Sequence, residues 1–134
     1  MSLTKQLEAI ANRHDFDCLC EDLLRDMAAG DITAGLSLVR EVLQFIEVNP
    51  EVDFGAPGAL TVFVEQFRGR GYEPLLIESI RRKPTPHTLS MLNRLINGAK
   101  DDDSQKALLE RMSSVLRRED VDEGTKEVAR DFLD

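Results

Sequence analysis

The sequence predicts an all-α fold. Its short helices are expected to run as consecutive antiparallel hairpins that either stack as a HEAT-like short superhelix or close into an irregular helical bundle. Three observations predict this. Apolar residues recur at steps of three and four along most of the chain. No segment keeps the two-residue alternation that a half-buried strand needs. Proline, glycine and capping residues punctuate the helical pattern at short intervals, leaving only brief joints. The chain shows no self-similar period, so the repeat reading is geometric and does not rest on a repeat motif.

The elements follow in order. A helix over about 2–12 carries Leu3, Leu7 and Ile10, and one over about 15–29 carries Phe16, Leu19, Leu23 and Met27. Gly30 supplies a stop and Asp31 a cap for the next helix, over about 32–48. That helix sets Ile32, Leu36, Val39, Leu43 and Ile46 against an opposite face of Thr33, Ser37, Arg40, Glu41 and Gln44. It ends near Asn49, because the residue before Pro50 is pushed out of the helical region. A loop over 49–56 follows.

The fourth helix opens at Pro57 with Leu60, Phe63, Val64 and Phe67 as its stripe, and Gly69 and Gly71 break it. The fifth opens at Pro74, carries Leu76, Ile77 and Ile80, and ends in Arg81, Arg82 and Lys83, cations that complement the negative end of its dipole. Pro84 stops it. Thr85 caps the sixth, with Pro86 at its first position and Leu89, Leu92, Leu95 and Ile96 inward, and Gly98 closes it. The run Asp101–Ser104 caps the seventh, which carries Leu108, Met112, Val115 and Leu116. The last helix, over about 121–133, has Asp120 and Glu123 at capping-box spacing and Val121, Val128 and Phe132 as its stripe.

At 134 residues the chain is expected to form one helical domain, 1–134, with enough length to bury a core. Its hydrophobic fraction of 42% is ordinary, and its charged fraction of 31% suits thin helical layers with much solvated surface. Tryptophan is absent and tyrosine occurs once, at Tyr72, which is poor material for stacking on bases or sugars. The net charge of −8 is unevenly spread. Residues 1–67 hold four basic and twelve acidic residues, 68–100 seven and two, and 101–134 six and eleven. An acidic field repels phosphate backbones and anionic lipids and attracts cationic partners. Residues 1–7 lack the apolar region of a signal peptide, and no run approaches a membrane span. A soluble, cytoplasmic protein with reduced thiols is expected.

Nothing in the sequence assembles a catalytic or metal site. Cys18 and Cys20 have only His14 near them, one ligand short of a tetrahedral set, and cysteine is among the commonest core residues. Neither cysteine has an oxyanion motif beside it, and His87 sits in the first turn of a helix. Asp15–Asp17 and Asp101–Asp103 lack the register of a calcium loop and read as helix caps. The glycines of 55–58 and 69–71 fit no nucleotide fingerprint. Arg68, Arg70, Arg81, Arg82 and Lys83 form a basic cluster with no aromatic interleaving, so nucleic acid is not an expected partner. The expectation is a protein that is not an enzyme, needs no cofactor and works by contact.

The segments GAPGALTVFVEQF and RKPTPHTLSMLNRLIN, within 54–97, resemble small bacterial immunity proteins of polymorphic-toxin and contact-dependent growth inhibition systems. The resemblance covers about a third of the chain. It implies a cytoplasmic, noncatalytic protein that binds and neutralises a cognate toxin domain. Such toxin domains often act on nucleic acid and are basic, so an acidic inhibitor would be steered to them, with carboxylates standing in for phosphates. The acidic N-terminal half is the expected surface, with Asp15, Asp22 and Asp26 on one helix face and Glu47, Glu51 and Asp53 around the loop. Phe54 and Tyr72 are the candidate anchors. Each of these residues also has a plain reading, as solvated surface or as core. The alternative function is a HEAT-like helical scaffold or regulatory module with another partner.

Overall fold

The computed structural model describes residues 6–7, 32–50 and 58–134 of the chain. Among these residues the fold is all-α: 76% are helical and none lies in a strand. Six helices are delimited: α1 (Ile32–Val48), α2 (Ala59–Glu65), α3 (Tyr72–Arg82), α4 (Pro86–Asn97), α5 (Asp102–Leu116) and α6 (Glu123–Leu133). The chain divides into two compact units, Met1–Leu75 and Leu76–Asp134. Of the two helices expected before residue 30, only Gln6 and Leu7 are described; both are helical, and Leu7 is fully buried.

In the first unit α1 is a core helix, not the two-faced surface helix that its spacing predicts. Val39, Leu43 and Ile46 are buried as expected, but so are Leu38, Val42 and Phe45. Ser37, Arg40, Gln44 and Val48 keep a narrow exposed strip. A helix that is apolar around most of its circumference must be covered around most of it. It ends where Pro50 requires: the Asn49 N–H donates to Ile46 O at 3.1 Å and its side-chain amide to Phe45 O at 2.9 Å.

Helix α2 packs on α1 and buries Leu60, Phe63 and Val64. The turn over 66–71 then folds back on the first turn of α1. Phe67 meets Phe63 edge-on with ring centroids 5.6 Å apart. The same ring lies so close to Gly35 that a Cβ there would sit 2.4 Å from Phe67 Cζ. Gly69 and Gly71 take φ of 76° and 116°, values that L side chains avoid, so the expected break is a true change of backbone hand. The Glu73 carboxylate accepts the Gly69 N–H through both oxygens, at 3.1 and 2.9 Å. This turn starts α3 at Tyr72, two residues before Pro74. Proline is tolerated there because a first-turn N–H has no intrahelical acceptor to lose.

In the second unit α4, α5 and α6 each pack against the other two. Helix α4 carries most of the core, burying Leu89, Met91, Leu92, Leu95 and Ile96. Each fully buried Leu or Met contributes about 2 kcal/mol in transfer from water. Its cap is the one expected and more. Thr85 Oγ1 accepts from the Thr88 N–H and Thr88 Oγ1 from the Thr85 N–H, both at 3.1 Å. Both threonines are buried, so this reciprocal box satisfies donors that no water reaches. Asp101 caps α5 by accepting the Ser104 N–H at 2.7 Å. Helix α6 is capped by Asp122, which accepts the Thr125 N–H at 3.0 Å, and not by Asp120 as its spacing suggests. Asp120 is held by Arg118 instead. The buried line into and along α6 is Val121, Thr125 and Ala129, while Val128 and Phe132 are only half-buried.

Pro84 has a second effect beyond stopping α3. In a continuing helix the N–H of residue 84 would donate to Ile80 O, and proline has none. Arg118, distant in sequence, fills that vacancy: its Nη1 donates to Ile80 O at 3.0 Å. The other two nitrogens fork onto Asp120, Nε to Oδ1 at 2.9 Å and Nη2 to Oδ2 at 2.7 Å. One guanidinium thus ties the end of α3 to the link between α5 and α6.

Two substitutions test these contacts. Gly35→Ala is expected to destabilise the protein by about 1–3 kcal/mol through overpacking, and by less in a Phe67→Leu background. Urea unfolding of the four proteins measures this; a stabilising Gly35→Ala, as bare helix propensity predicts, would overturn the close approach. Arg118→Lys keeps the charge but loses the planar fork, and is expected to cost about 1 kcal/mol. Unfolding midpoints equal to wild type would show that lysine reaches the same acceptors.

Candidate interaction surface

Of the eight residues expected to contact a partner, Asp15, Asp22, Asp26, Glu51, Asp53 and Phe54 lie outside the described residues. The two that are described do not fit a docking surface. Glu47 is only 9% exposed, because α1 is covered on the side it occupies. Tyr72 is fully buried: the left-handed Gly71 turns its side chain inward as the first residue of α3, and its N–H donates to Phe67 O at 3.3 Å. It is a core aromatic of the first unit and offers no exposed anchor. The large apolar side chains on the described surface are Val48, 64% exposed, and Val62, 54% exposed.

The basic cluster serves its own helix. Arg81 and Arg82 occupy the last turn of α3, where the dipole favours cations. Glu78 lies 3.3 Å from Arg81 and 4.0 Å from Arg82. Arg68 and Arg70 are exposed on the turn after α2. Among the described residues no group of three or more His, Cys, Asp or Glu side chains could hold a metal ion, while His14, Cys18 and Cys20 lie outside them. Among the described residues no helix is long and apolar enough to cross a membrane.

The charged surface that the structure does display belongs to α5, α6 and their link. All eleven carboxylates of residues 101–134 are exposed, against six cations in the same stretch. Several have local tasks. Asp101 and Asp122 cap helices, Asp120 is forked by Arg118, and Glu110 meets Arg117 at 2.6 Å. Arg130 bridges Glu123 at 2.8 Å and Glu127 at 3.0 Å, and these carboxylates raise its pKa. Asp102, Asp103, Glu119, Asp131 and Asp134 stand exposed outside these pairs. The signal for this surface was present in the charge tally of 101–134. Most carboxylates of the larger acidic excess in 1–67 lie outside the described residues.

Hydrogen bonds set the acid response of this region. Those from Ser104 lower the pKa of Asp101, that from Arg118 lowers Asp120, and those from Thr125 lower Asp122. A carboxylate depressed in the folded state adds stability above its unfolded pKa, and that stability is lost as pH falls through the folded value. Stability is therefore expected to hold from neutral pH down to about 4 and to fall below it. Asp122→Asn keeps a capping side chain without the titration, so it should flatten part of that fall. Thermal unfolding of both proteins at a series of pH values checks this, and parallel curves would remove Asp122 from the account. Compared with protein-family models, with curated proteins and with solved structures, the chain finds no match.

Proposed function

We propose that this chain is a noncatalytic immunity protein that binds a cognate bacterial toxin domain in the cytoplasm and neutralises it by covering its active site. The observation that carries the choice of partner is the exposed carboxylate excess of residues 101–134, within a chain of net charge −8. Such a surface attracts a basic domain and repels nucleic acid and anionic membranes. The resemblance of GAPGALTVFVEQF and RKPTPHTLSMLNRLIN to immunity proteins supports the same reading. The described parts of these segments are α2 with its cap residue Gly58 and the two residues after it, and the capped start and core face of α4. They are helix starts and core, so the resemblance supports a scaffold and assigns no contact residue.

The test is co-expression with the toxic C-terminal domain encoded beside the gene. Rescue of growth and a stable purified complex are the expected results. The association rate should fall roughly tenfold as salt rises from low to physiological strength. Asp102→Lys with Asp103→Lys should slow association, at a cost to α5 of about 0.3–1 kcal/mol for each first-turn carboxylate replaced, which unfolding measures separately. Absence of rescue and of a complex would move the reading to a HEAT-like scaffold or regulatory module. Rescue with a salt-independent rate would keep the inhibitor and discard the acidic surface as its docking face.

A further inference from the structure

Helix α6 is held to its neighbours differently from α4 and α5. Within α6 only Thr125 and Ala129 are buried, with Val121 at its approach, whereas α4 buries six residues and α5 buries the larger Met112 and Val115 and donates Gln105 Nε2 to Ile96 O of α4 at 3.3 Å. Thr125 and Ala129 are small. They let α6 lie close to both α4 and α5, but they remove little apolar surface from water. The larger side chains, Val128, Phe132 and Leu133, are half-buried.

The polar contacts of α6 also point inward to itself. Asp122 bonds Thr125, and Arg130 bonds Glu123 and Glu127. These support the helix as a helix and give nothing to its docking. The polar tie to the rest of the unit precedes α6: Arg118, gripping Asp120 on one side and Ile80 O on the other.

We infer that α6 is a detachable helix, which opens from α4 and α5 as a unit of its own while they stay packed, with the Arg118–Asp120 clamp setting how often it does so. The inference is independent of the proposed partner. An opened α6 is eleven residues long, too short to stay helical in water, so its amides exchange each time it leaves.

Native-state hydrogen exchange on the full chain reads this directly. After correction for intrinsic rates, amides in the last two turns of α6 should exchange at least about tenfold faster than those in the second half of α4, with a weaker dependence on denaturant. In Asp120→Ala the α6 amides should speed up by roughly twofold to fivefold, with the α4 amides unchanged. Asp120 is exposed and lies outside every helix, so this variant removes a surface carboxylate and leaves every buried side chain in place. A single rate and a single denaturant slope shared by α4 and α6 in the wild-type protein would overturn the inference. So would an Asp120→Ala variant in which α6 is unchanged, or in which α4 and α6 accelerate together.

Discussion

The second unit depends on the absence of one hydrogen atom. Pro84 separates α3 from α4 so that Thr85 can cap α4, and it cannot give Ile80 O the bond that a continuing helix would supply. Ile80 itself is buried, so its carbonyl cannot simply be left to solvent. Arg118 solves this with a side chain long enough to cross between elements and with donors enough to do two tasks. Its remaining nitrogens are committed to Asp120, which fixes the rotamer and limits the entropy lost in reaching Ile80. The link over 117–122 therefore takes its place because a proline stands at 84.

Some of this was legible in the sequence and some was not, for identifiable reasons. The ends of α1 and α4 and the caps at Thr85 and Asp101 follow from local chemistry, because capping needs only residues within one turn. The start of α3 at Tyr72 is not legible locally, because Pro74 suits a first helical position. What fixes that start is the pair Gly69 and Gly71 and a carboxylate four residues past Gly69. The cap of α6 was misplaced by two residues because Asp120 and Asp122 both suit the role. Arg118 decides between them, and a contact to Ile80 cannot be read from local spacing. The burial of α1 was understated for a similar reason: Leu38, Val42 and Phe45 fall off the cleanest stripe, and only tertiary packing shows that they too are covered.

The candidate surface was the least legible part. Charge counts locate an acidic segment, but they do not separate carboxylates that cap, pair or hide from those that face a partner. Glu47 is acidic and buried; Tyr72 is the sole tyrosine and is also buried. Aromatic anchors and core aromatics have the same composition, and the turn around Gly71 distinguishes them here. On α5 and α6 the separation can be made. Asp101, Asp120 and Asp122 are spent on local structure and Asp102 and Asp103 face the positive end of the α5 dipole, whereas Asp131 has no such task.

Charge and docking are also coupled on this part of the molecule. From Glu119 onward the chain holds seven acidic residues and two basic ones, on a segment whose buried side chains, Val121, Thr125 and Ala129, are few and small. A helix with many charges has few side chains to bury, and like charges on a helix and its neighbours oppose their approach. The small residues at 125 and 129 and the Arg118 clamp offset that repulsion without a large apolar face. A cation bound across α5 and α6 would reduce the repulsion only when both are in place, so by linkage it would favour the docked helix. The anionic surface and the thin docking of α6 are then two consequences of one composition.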